Sequence, residues 1–149
     1  MIDTQRLTLA PRRQVDKLME DYYMTLHPEL ATLDPPIGNS INPILFSIFA
    51  KDDNKHIGLC SLYNLNHASV ELGVRIFIPE YWSKGYGTEI VNALCEYAFS
   101  TYRVLAVLVK TPATNTRAIK CYEKCGFVKY AQMVLEGYEM IFMIKQKEE

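Results

Sequence analysis

One stretch constrains the fold of this chain more than any other: two glycines close together, between a strand-like run and a helix-like run, in Tyr81-Trp82-Ser83-Lys84-Gly85-Tyr86-Gly87-Thr88. An apolar run from Val70 to Ile78 and the breaker Pro79 precede it, and an amphipathic run from Glu89 to Phe99 follows it. Glycines at such a turn leave backbone N–H groups accessible, and the positive end of the helix dipole lies behind them. The pattern therefore predicts a phosphate-binding turn, with a tight turn of purely structural purpose as the alternative.

Composition and charge exclude several classes of function. The chain has 149 residues, a net charge of -1 and 49% apolar residues, which fits one folded domain over residues 1–149. There is no basic surplus for binding nucleic acid. No apolar run reaches the roughly 20 residues of a membrane helix, and the first residues lack the order of a signal peptide. We therefore expect a cytoplasmic protein that binds neither nucleic acid nor membrane.

The four cysteines predict no metal site. They are scattered through apolar or helical surroundings, and in a chain without a secretion signal the expectation is reduced thiols. Cys121 and Cys125 are four residues apart on a predicted helix, a spacing that could share a metal ion. No histidine pair or second cysteine pair lies nearby in sequence to complete a tetrahedral site, so we interpret both as packing residues.

Hydrophobic periodicity predicts the order of the elements. Alternating or continuous apolar runs predict seven strands, over 6–10, 44–50, 56–62, 70–78, 103–110, 127–135 and 138–144. Apolar residues at spacings of three and four predict a helix containing Val15, Leu18, Met19, Tyr22 and Tyr23, and a second one over 89–99. The strand, helix and strand between residues 70 and 110 form a βαβ unit, whose two strands should be parallel.

The third predicted helix carries clear signals at both ends. Asn115 is a good N-cap residue, and Ala118, Ile119 and Tyr122 share one face. Gly126 fits the position after the last helical residue, where Phe127 would make the apolar contact of a Schellman motif.

Taken in order, these elements and motifs resemble the GNAT superfamily of acyl-CoA-dependent N-acetyltransferases. Three stretches carry the resemblance: 71–76 running through Pro79 into 81–89, then 115–127, and more weakly the opening 4–9, which looks like the branch acting on ribosomal-protein N-termini. One position departs from the family pattern. Trp82 stands where the family commonly has Arg or Gln, and Lys84 could supply the missing positive charge.

The resemblance implies a fold and a donor substrate. The fold is an α/β (α+β) domain with a mixed, mostly antiparallel sheet of about seven strands, helices on both faces, and a splayed parallel strand pair that binds CoA. The pantetheine arm of acetyl-CoA would pair with backbone groups around Ile76, Phe77 and Ile78. The pyrophosphate would bind the N–H groups of Ser83, Lys84, Gly85, Tyr86, Gly87 and Thr88, while Asn115 would contact the pantetheine and Arg117 the phosphates.

The same resemblance implies residues for acetyl transfer. An amine nucleophile must lose a proton, and the departing thiolate must gain one. Glu71, on the strand beside the acyl group, is the candidate base, with a solvent-facing or salt-bridged strand residue as the alternative. Tyr122 matches the family tyrosine near the CoA sulfur, and a phenol, with a pKa of about 10 in water, can donate to a thiolate. A backbone N–H near Ile76 would meet the oxyanion.

The acceptor is the least determined part of the prediction. We expect a primary amine, either a protein N-terminus or lysine or a small polyamine-like or drug-like amine. The loop from His27 to Pro43 and the closing hairpin 131–138 would form its walls, and candidate acceptor-facing side chains are Tyr22, Tyr23, Asp34, His67 and Glu136. A non-catalytic acyl-CoA-binding module and a nucleotide-binding α/β domain are the alternatives, and the resemblance admits a homodimer.

Overall fold

The computed structural model describes residues 1–30 and 40–148, and within them eight strands form one mixed sheet. The strands are β1 (Ile2–Asp3), β2 (Leu7–Pro11), β3 (Ile44–Ala50), β4 (His56–Tyr63), β5 (Ser69–Ile76), β6 (Ala106–Pro112), β7 (Val128–Leu135) and β8 (Tyr138–Gln146). The helices are α1 (Gln14–Leu26), α2 (Tyr86–Tyr97) and α3 (Thr116–Lys124). A 3₁₀ turn (Pro79–Tyr81) precedes α2 and a π-helical turn (Ala98–Tyr102) follows it. The expected fold class is confirmed, with one strand more than the seven expected, because β1 is too short to show a pattern.

The strand order explains why the centre of the sheet is special. Strands follow one another as β1-β2-β3-β4-β5-β6-β8-β7, and every neighbouring pair is antiparallel except β5 and β6. The β3–β4–β5 meander, the closing β7–β8 hairpin and the parallel pair of the βαβ unit are thus confirmed. The parallel pair lies in the interior of the sheet, where covering helices bury it.

The helices cover both faces of the sheet. Adjacent residues of a strand point to opposite faces, and Phe46 and Ser47 on β3 show where each helix lies. The ring of Phe46 meets that of Tyr97, at the end of α2, at a centroid distance of 6.0 Å, whereas the Ser47 hydroxyl bonds to Asp16 on α1. Hence α1 and α2 pack on opposite faces, and α3 packs beside α2.

Three of the shifted boundaries bear on the site. The strand predicted to continue to Ile78 ends at Ile76, because Pro79 opens the 3₁₀ turn. The helix predicted from Glu89 begins at Tyr86, since Gly85 is its N-cap, so part of the glycine stretch is the first helical turn. The strand predicted from Arg103 begins at Ala106, because the π-helical turn ends with Arg103 in the left-handed region.

The predicted ends of α3 are confirmed. The Asn115 side chain accepts a hydrogen bond from the Ala118 N–H at 3.2 Å. At the other end, the Phe127 N–H bonds to the Tyr122 carbonyl and the Gly126 N–H to the Glu123 carbonyl, both at 3.0 Å. These two bonds define the Schellman motif, and the rings of Tyr122 and Phe127 make the apolar contact expected with it. Since Tyr122 takes part in this stop, its position on α3 is fixed.

Helix α1 differs from its prediction in the face that it buries. The helix forms, but most of its predicted apolar stripe points outward, with Val15 55% and Leu18 69% exposed. Tyr23, by contrast, packs on the buried Phe77. The face against the sheet carries Asp16 and Glu20, which are 3% and 6% exposed. The sequence pattern failed here because polar partners compensate the buried charges.

Those partners form two compact networks. Asp16 accepts hydrogen bonds from the Arg13 backbone at 2.9 Å and the Ser47 hydroxyl at 2.7 Å, and Glu20 pairs with Arg12 through two bonds of 2.7 and 2.6 Å. Burial raises the pKa of Asp16, but the hydrogen bonds from Arg13 and Ser47 outweigh it and lower the pKa to about 2. A carboxylate with this pKa stabilises the folded state above pH 4, and the stabilisation is lost as the pH falls towards 2.

We predict that Asp16→Asn lowers the free energy of unfolding by about 2 kcal/mol at pH 7, because the variant loses charge-assisted hydrogen bonds. The difference from wild type should shrink as the pH falls from about 4 to about 2, where the wild-type carboxylate takes up a proton. Urea unfolding at a series of pH values measures it, with the exposed Asp21→Asn as the control on the same helix. A pH-independent difference would contradict this account.

Candidate functional site

A gap opens between β5 and β6 where their pairing stops. The two strands are in register only from Ser69 opposite Ala106 to Glu71 opposite Leu108. Beyond that point β5 continues to Ile76 and β6 to Pro112 without pairing to each other. The splayed parallel pair expected from the sequence is therefore present, and its free edges face each other across the gap.

Backbone alternation identifies which groups of β5 face this gap. The Phe77 N–H donates to the Ile57 carbonyl at 2.8 Å, on the β4 side, whereas the Ala68 carbonyl accepts from Leu105 at 2.8 Å, on the β6 side. In a strand, the N–H and C=O of one residue point to the same side, and those of the next residue point to the opposite side. The backbone groups of the even-numbered residues of β5 therefore face β6. The backbone groups that face the gap thus belong to Leu72, Val74 and Ile76.

Two of the residues predicted around the pantetheine, Phe77 and Ile78, do not face the gap. Phe77 is 1% exposed and stacks on Tyr23, with its N–H bonded to β4, and Ile78 is buried with its carbonyl bonded to the Tyr81 N–H. Neither lines either of the two cavities described below. Of the three predicted residues, only Ile76 reaches the gap, and Val74, which was not predicted, also faces it. The end of a strand's pairing leaves no mark in sequence.

A cavity of about 350 Å³ extends from the gap along the glycine stretch; we call it the donor cavity. Its walls come from β5, the 81–88 stretch and one face of α3, and the residues relevant here are Val74, Arg75, Ile76, Trp82, Ser83, Gly85, Gly87, Thr88, Asn115, Arg117, Lys120, Cys121, Tyr122 and Lys124. Four of its side chains are cationic, and among the described residues that line it there is no carboxylate. The cavity is therefore suited to an anionic ligand.

Gly85 ends the turn and starts α2. Its φ of +85° lies in the left-handed region, which a side chain disfavours, and it is the N-cap of the helix. The N–H groups of Tyr86, Gly87 and Thr88 are in the first helical turn, where no intrahelical acceptor exists. Gly87 also has a packing role, because a Cβ there would lie 3.3 Å from the Cys121 Sγ on α3. Both glycines thus favour a close approach of backbone to ligand and of helix to helix.

The N-terminal segment holds this stretch in place. The Arg6 backbone N–H and Nε each donate to the Glu89 carboxylate at 2.8 Å. Arg6 Nη1 donates to the Lys84 carbonyl at 3.1 Å. The Arg6 guanidinium also lies 3.8 Å from the centre of the Tyr86 ring. Thr4 donates a further hydrogen bond to Glu89. Burial raises the pKa of Glu89, but these bonds outweigh it and hold the pKa below its ordinary value. The opening stretch therefore has a structural role at the donor cavity.

The position that departs from the family pattern makes two contacts. The Trp82 indole Nε1 donates to the Ile76 carbonyl at 2.9 Å, and the Arg117 guanidinium lies 4.0 Å from the centre of the Trp82 ring. Lys84, the residue expected to supply the missing charge, is exposed and does not line the cavity. The cation beside Trp82 is thus Arg117.

A second cavity, of about 200 Å³, meets the donor cavity at α3; we call it the acceptor cavity. Its lining includes Tyr63, Gly73, Lys110, Thr111 and Met140, and it shares Val74, Arg75, Asn115, Ala118 and Tyr122 with the donor cavity. Tyr122 is 7% exposed, so its ring lies at the junction of the two cavities rather than in open solvent. Tyr122 thus contributes to the walls of both cavities.

Glu71 lies at the point where β5 and β6 part, but it is not among the residues lining either cavity. Its carboxylate accepts a hydrogen bond from the Asn64 side chain and lies 3.6 Å from the Lys110 Nζ. The salt-bridged alternative is thus present in the structure, with Lys110 as the partner. Lys110 does line the acceptor cavity, so the carboxylate lies one side chain away from it.

The two neighbouring cysteines differ in environment. Cys125 is buried, as expected of a packing residue, and its hydrogen bond with Cys121 and then burial raise the pKa of its thiol. Cys121 lines the donor cavity, and the hydrogen bond with Cys125 lowers its pKa to about 7 against the opposing effect of burial. No cluster of metal-ligating side chains occurs within residues 1–30 and 40–148.

The remaining acceptor candidates do not converge. Tyr22 is exposed on α1, Tyr23 packs on Phe77, His67 is exposed in the β4–β5 turn, and Glu136 lies at the tip of the β7–β8 hairpin. Asp34 and much of the predicted 27–43 wall fall at 31–39, outside the described residues. No helix of the described chain is long and apolar enough to cross a membrane.

Several cavity residues beyond the predicted Arg117 were missed, and one signal could have found two of them, Lys120 and Lys124. Arg117, Lys120 and Lys124 recur at spacings of three and four on α3, which places them on one face of the helix. A cationic stripe following the Asn115 cap would have indicated an anion-binding face. Arg75, Lys110 and Tyr63 carry no such signal, because the sheet register brings them together.

Comparisons with known proteins agree with this geometry. Residues 7–128 match the family model described as Acetyltransferase (GNAT) domain. The spermidine N(1)-acetyltransferase of Vibrio cholerae serotype O1 is 32% identical over 84 residues, 55% of this chain and 48% of that protein. The chain spans about half the length of the curated relatives it matches.

Two solved structures share the fold over 95% of both chains. The aminoglycoside acetyltransferase AAC(6')-Ib in complex with coenzyme A has a TM-score of 0.80 at 17% identity. The Vibrio cholerae spermidine N-acetyltransferase in complex with CoA and spermine has a TM-score of 0.77 at 20% identity. These relatives lend no support to the resemblance to the ribosomal-protein branch. Because the family model covers the chain from the start of β2 to the start of β7, the chain belongs to the GNAT acetyltransferase family.

Proposed function

We propose that this protein is an N-acetyltransferase that moves the acetyl group of acetyl-CoA directly to a primary amine in a ternary complex. One observation carries the proposal: a cationic cavity at the N-terminus of α2 joins a second cavity at the buried Tyr122. The cationic donor cavity suits the phosphates and the extended pantetheine arm of acetyl-CoA, and the acceptor cavity suits an amine substrate. A direct transfer needs such a junction, since both substrates must meet at the reacting carbonyl.

The donor would bind along the whole length of the gap. Its phosphates would accept hydrogen bonds from the N–H groups around Gly85, Gly87 and Thr88, supported by the dipole of α2 and the cations of α3. Its amides would pair with the backbone of Val74 and with the N–H of Ile76, since the Ile76 carbonyl accepts from Trp82. Asn115, whose side chain caps α3, lines both cavities and lies beside this path.

Tyr122 and Glu71 would handle the protons. In the proposed mechanism Glu71 takes a proton from the amine through an ordered water, because Lys110 stands between the carboxylate and the acceptor cavity. The amine nitrogen forms a bond to the acetyl carbon, a β5 backbone N–H facing the gap stabilises the oxyanion, and the C–S bond breaks. Tyr122 then donates its phenolic proton to the thiolate.

The acceptor we propose is a small amine. The relatives are named for spermidine and for aminoglycosides, both of which carry primary amines. A protein N-terminus or lysine is the alternative acceptor. We also propose that residues 1–149 act as one domain. The spermidine N-acetyltransferase of Vibrio cholerae, a structural relative, is dodecameric, and we propose that this chain too forms a homo-oligomer such as a homodimer.

A panel of amines tests the proposed function. We predict that the purified protein releases CoA thiol from acetyl-CoA in the presence of polyamines or aminoglycosides, above the rate without amine. Thiol detection measures the rate, and mass spectrometry of the product detects the added acetyl group. Binding of CoA without thiol release by any small amine or peptide N-terminus would instead support a non-catalytic acyl-CoA-binding module.

Tyr122→Phe tests the proposed acid. We predict that kcat falls roughly 100-fold because the thiolate must leave unprotonated, while the affinity for CoA changes little. Tyr130→Phe, at an exposed tyrosine on β7 outside both cavities, is the matched control and should keep the wild-type rate. A Tyr122→Phe enzyme with full kcat would remove Tyr122 from the mechanism.

Glu71→Gln tests the proposed base. The amide can keep contact with Asn64 but cannot accept the proton of the amine, so we predict a fall in kcat of roughly 100-fold with little change in the Kd of acetyl-CoA. Steady-state kinetics and calorimetry give the two quantities, and the exposed Glu96→Gln on α2 serves as the control. Equal losses in kcat and donor affinity would indicate a structural role for the ion pair with Lys110.

A further inference from the structure

Trp82 joins two parts of the donor cavity that are far apart in sequence. Its indole N–H bonds to the carbonyl of Ile76, the last residue of β5, at 2.9 Å. The face of its ring receives the guanidinium of Arg117, from the first turn of α3, at 4.0 Å from the ring centre. One side chain therefore connects the end of β5 to the start of α3 across the mouth of the cavity.

The stacking leaves the guanidinium able to bind an anion. A guanidinium 4.0 Å above a ring centre is close enough to lie face to face with the ring, and in that arrangement its in-plane N–H donors point sideways. Planar donors of this kind match two phosphate oxygens at once. Arg117 lines the same cavity as Ser83, Gly85 and Gly87, whose backbone forms the turn before and at the start of α2.

The alternative source of charge in the glycine stretch points away. Lys84 is exposed, its carbonyl is bonded to Arg6, and its side chain does not line the cavity. An arginine side chain has many rotamers, so an unsupported Arg117 would lose conformational entropy on binding a phosphate. Stacking on Trp82 removes part of that loss before the ligand arrives.

We propose that Trp82 is a positioning residue that holds Arg117 over the glycine stretch, where Arg117 binds a phosphate group of the donor substrate. The inference rests on the proposed function, because it takes acetyl-CoA as the donor. It assigns to the Trp82–Arg117 pair the charge that the family pattern places at position 82 itself. The indole N–H fixes the orientation of the ring, and the ring fixes the guanidinium.

A double-mutant cycle tests the pair. CoA affinity is measured by calorimetry for wild type, Trp82→Leu, Arg117→Met and the double variant. We expect Arg117→Met to weaken CoA binding roughly 10- to 100-fold at low salt, because a charge-assisted contact is lost. Trp82→Leu should weaken it roughly 10-fold, and the double variant should bind no worse than Arg117→Met alone, since the two residues act as one unit.

Salt dependence and two further variants separate this role from a general structural one. The loss in Arg117→Met should shrink at high salt, which screens the contact with phosphate. Trp82→Phe keeps an aromatic face but loses the N–H, so it should fall between wild type and Trp82→Leu and provides a test if the leucine variant folds poorly. Lys17→Met, an exposed cation on α1 outside the cavity, should bind CoA as wild type does.

The chain supplies its own probe for the same contact. Trp82 is the single tryptophan of the sequence, so the indole emission reports on this site alone. We expect CoA to change the emission of the wild type, and Arg117→Met to change the emission without any ligand, because the guanidinium no longer covers the ring.

The outcomes distinguish a failure of the proposed function from a failure of the Trp82–Arg117 inference. A wild-type protein that does not bind CoA would overturn the proposed function and this inference with it. A wild type that binds CoA, with additive losses in the cycle or with no loss in Arg117→Met, would overturn the inference alone and leave the proposed function standing.

Discussion

The site depends on the end of hydrogen bonding between β5 and β6 after Glu71 and Leu108. If the two parallel strands stayed paired, the backbone groups of Val74 and Ile76 would be hydrogen-bonded to β6. Because they part, those groups face a gap that opens onto the first turn of α2. Unpaired backbone groups in the interior of a protein cost free energy, so hydrogen-bonding partners in this gap, water or a ligand, are favoured. A ligand with its own amides, aligned along β5, supplies such partners, and Trp82 already occupies the Ile76 carbonyl.

The second requirement is a rigid turn at the end of the gap. Glu89, in the first turns of α2, receives hydrogen bonds from Thr4 and Arg6 of the N-terminal segment, and Arg6 also holds the Lys84 carbonyl. These contacts anchor the glycine stretch to β2 at one side, while the Trp82 contacts anchor it to β5 and α3 at the other. The N–H groups at the start of α2 are consequently fixed before a ligand binds, which reduces the entropy lost on binding.

Local signals in the sequence were sufficient for part of this account. The cap at Asn115 and the stop at Gly126 were predictable because both involve residues within one or two turns of the helix. The sequence did not reveal that α1 buries Asp16, because Ser47 comes from a distant strand and only folding brings it close. It also did not reveal that Phe77 and Ile78 lie outside the gap, because the residue at which a strand leaves its neighbour is a property of the sheet. The pairing of Trp82 with Arg117 was hidden for the same reason, since β5 and α3 meet only in the folded chain.

The central claim is that the gap between β5 and β6, together with the first turn of α2, binds the donor substrate. A crystal structure of the complex with CoA tests it most directly. The account predicts pyrophosphate oxygens within hydrogen-bonding distance of the N–H groups between Gly85 and Thr88, the pantetheine arm along Val74 and Ile76, and the thiol near Tyr122. A complex in which CoA lies outside the gap, with β5 and α2 uncontacted, would contradict the account.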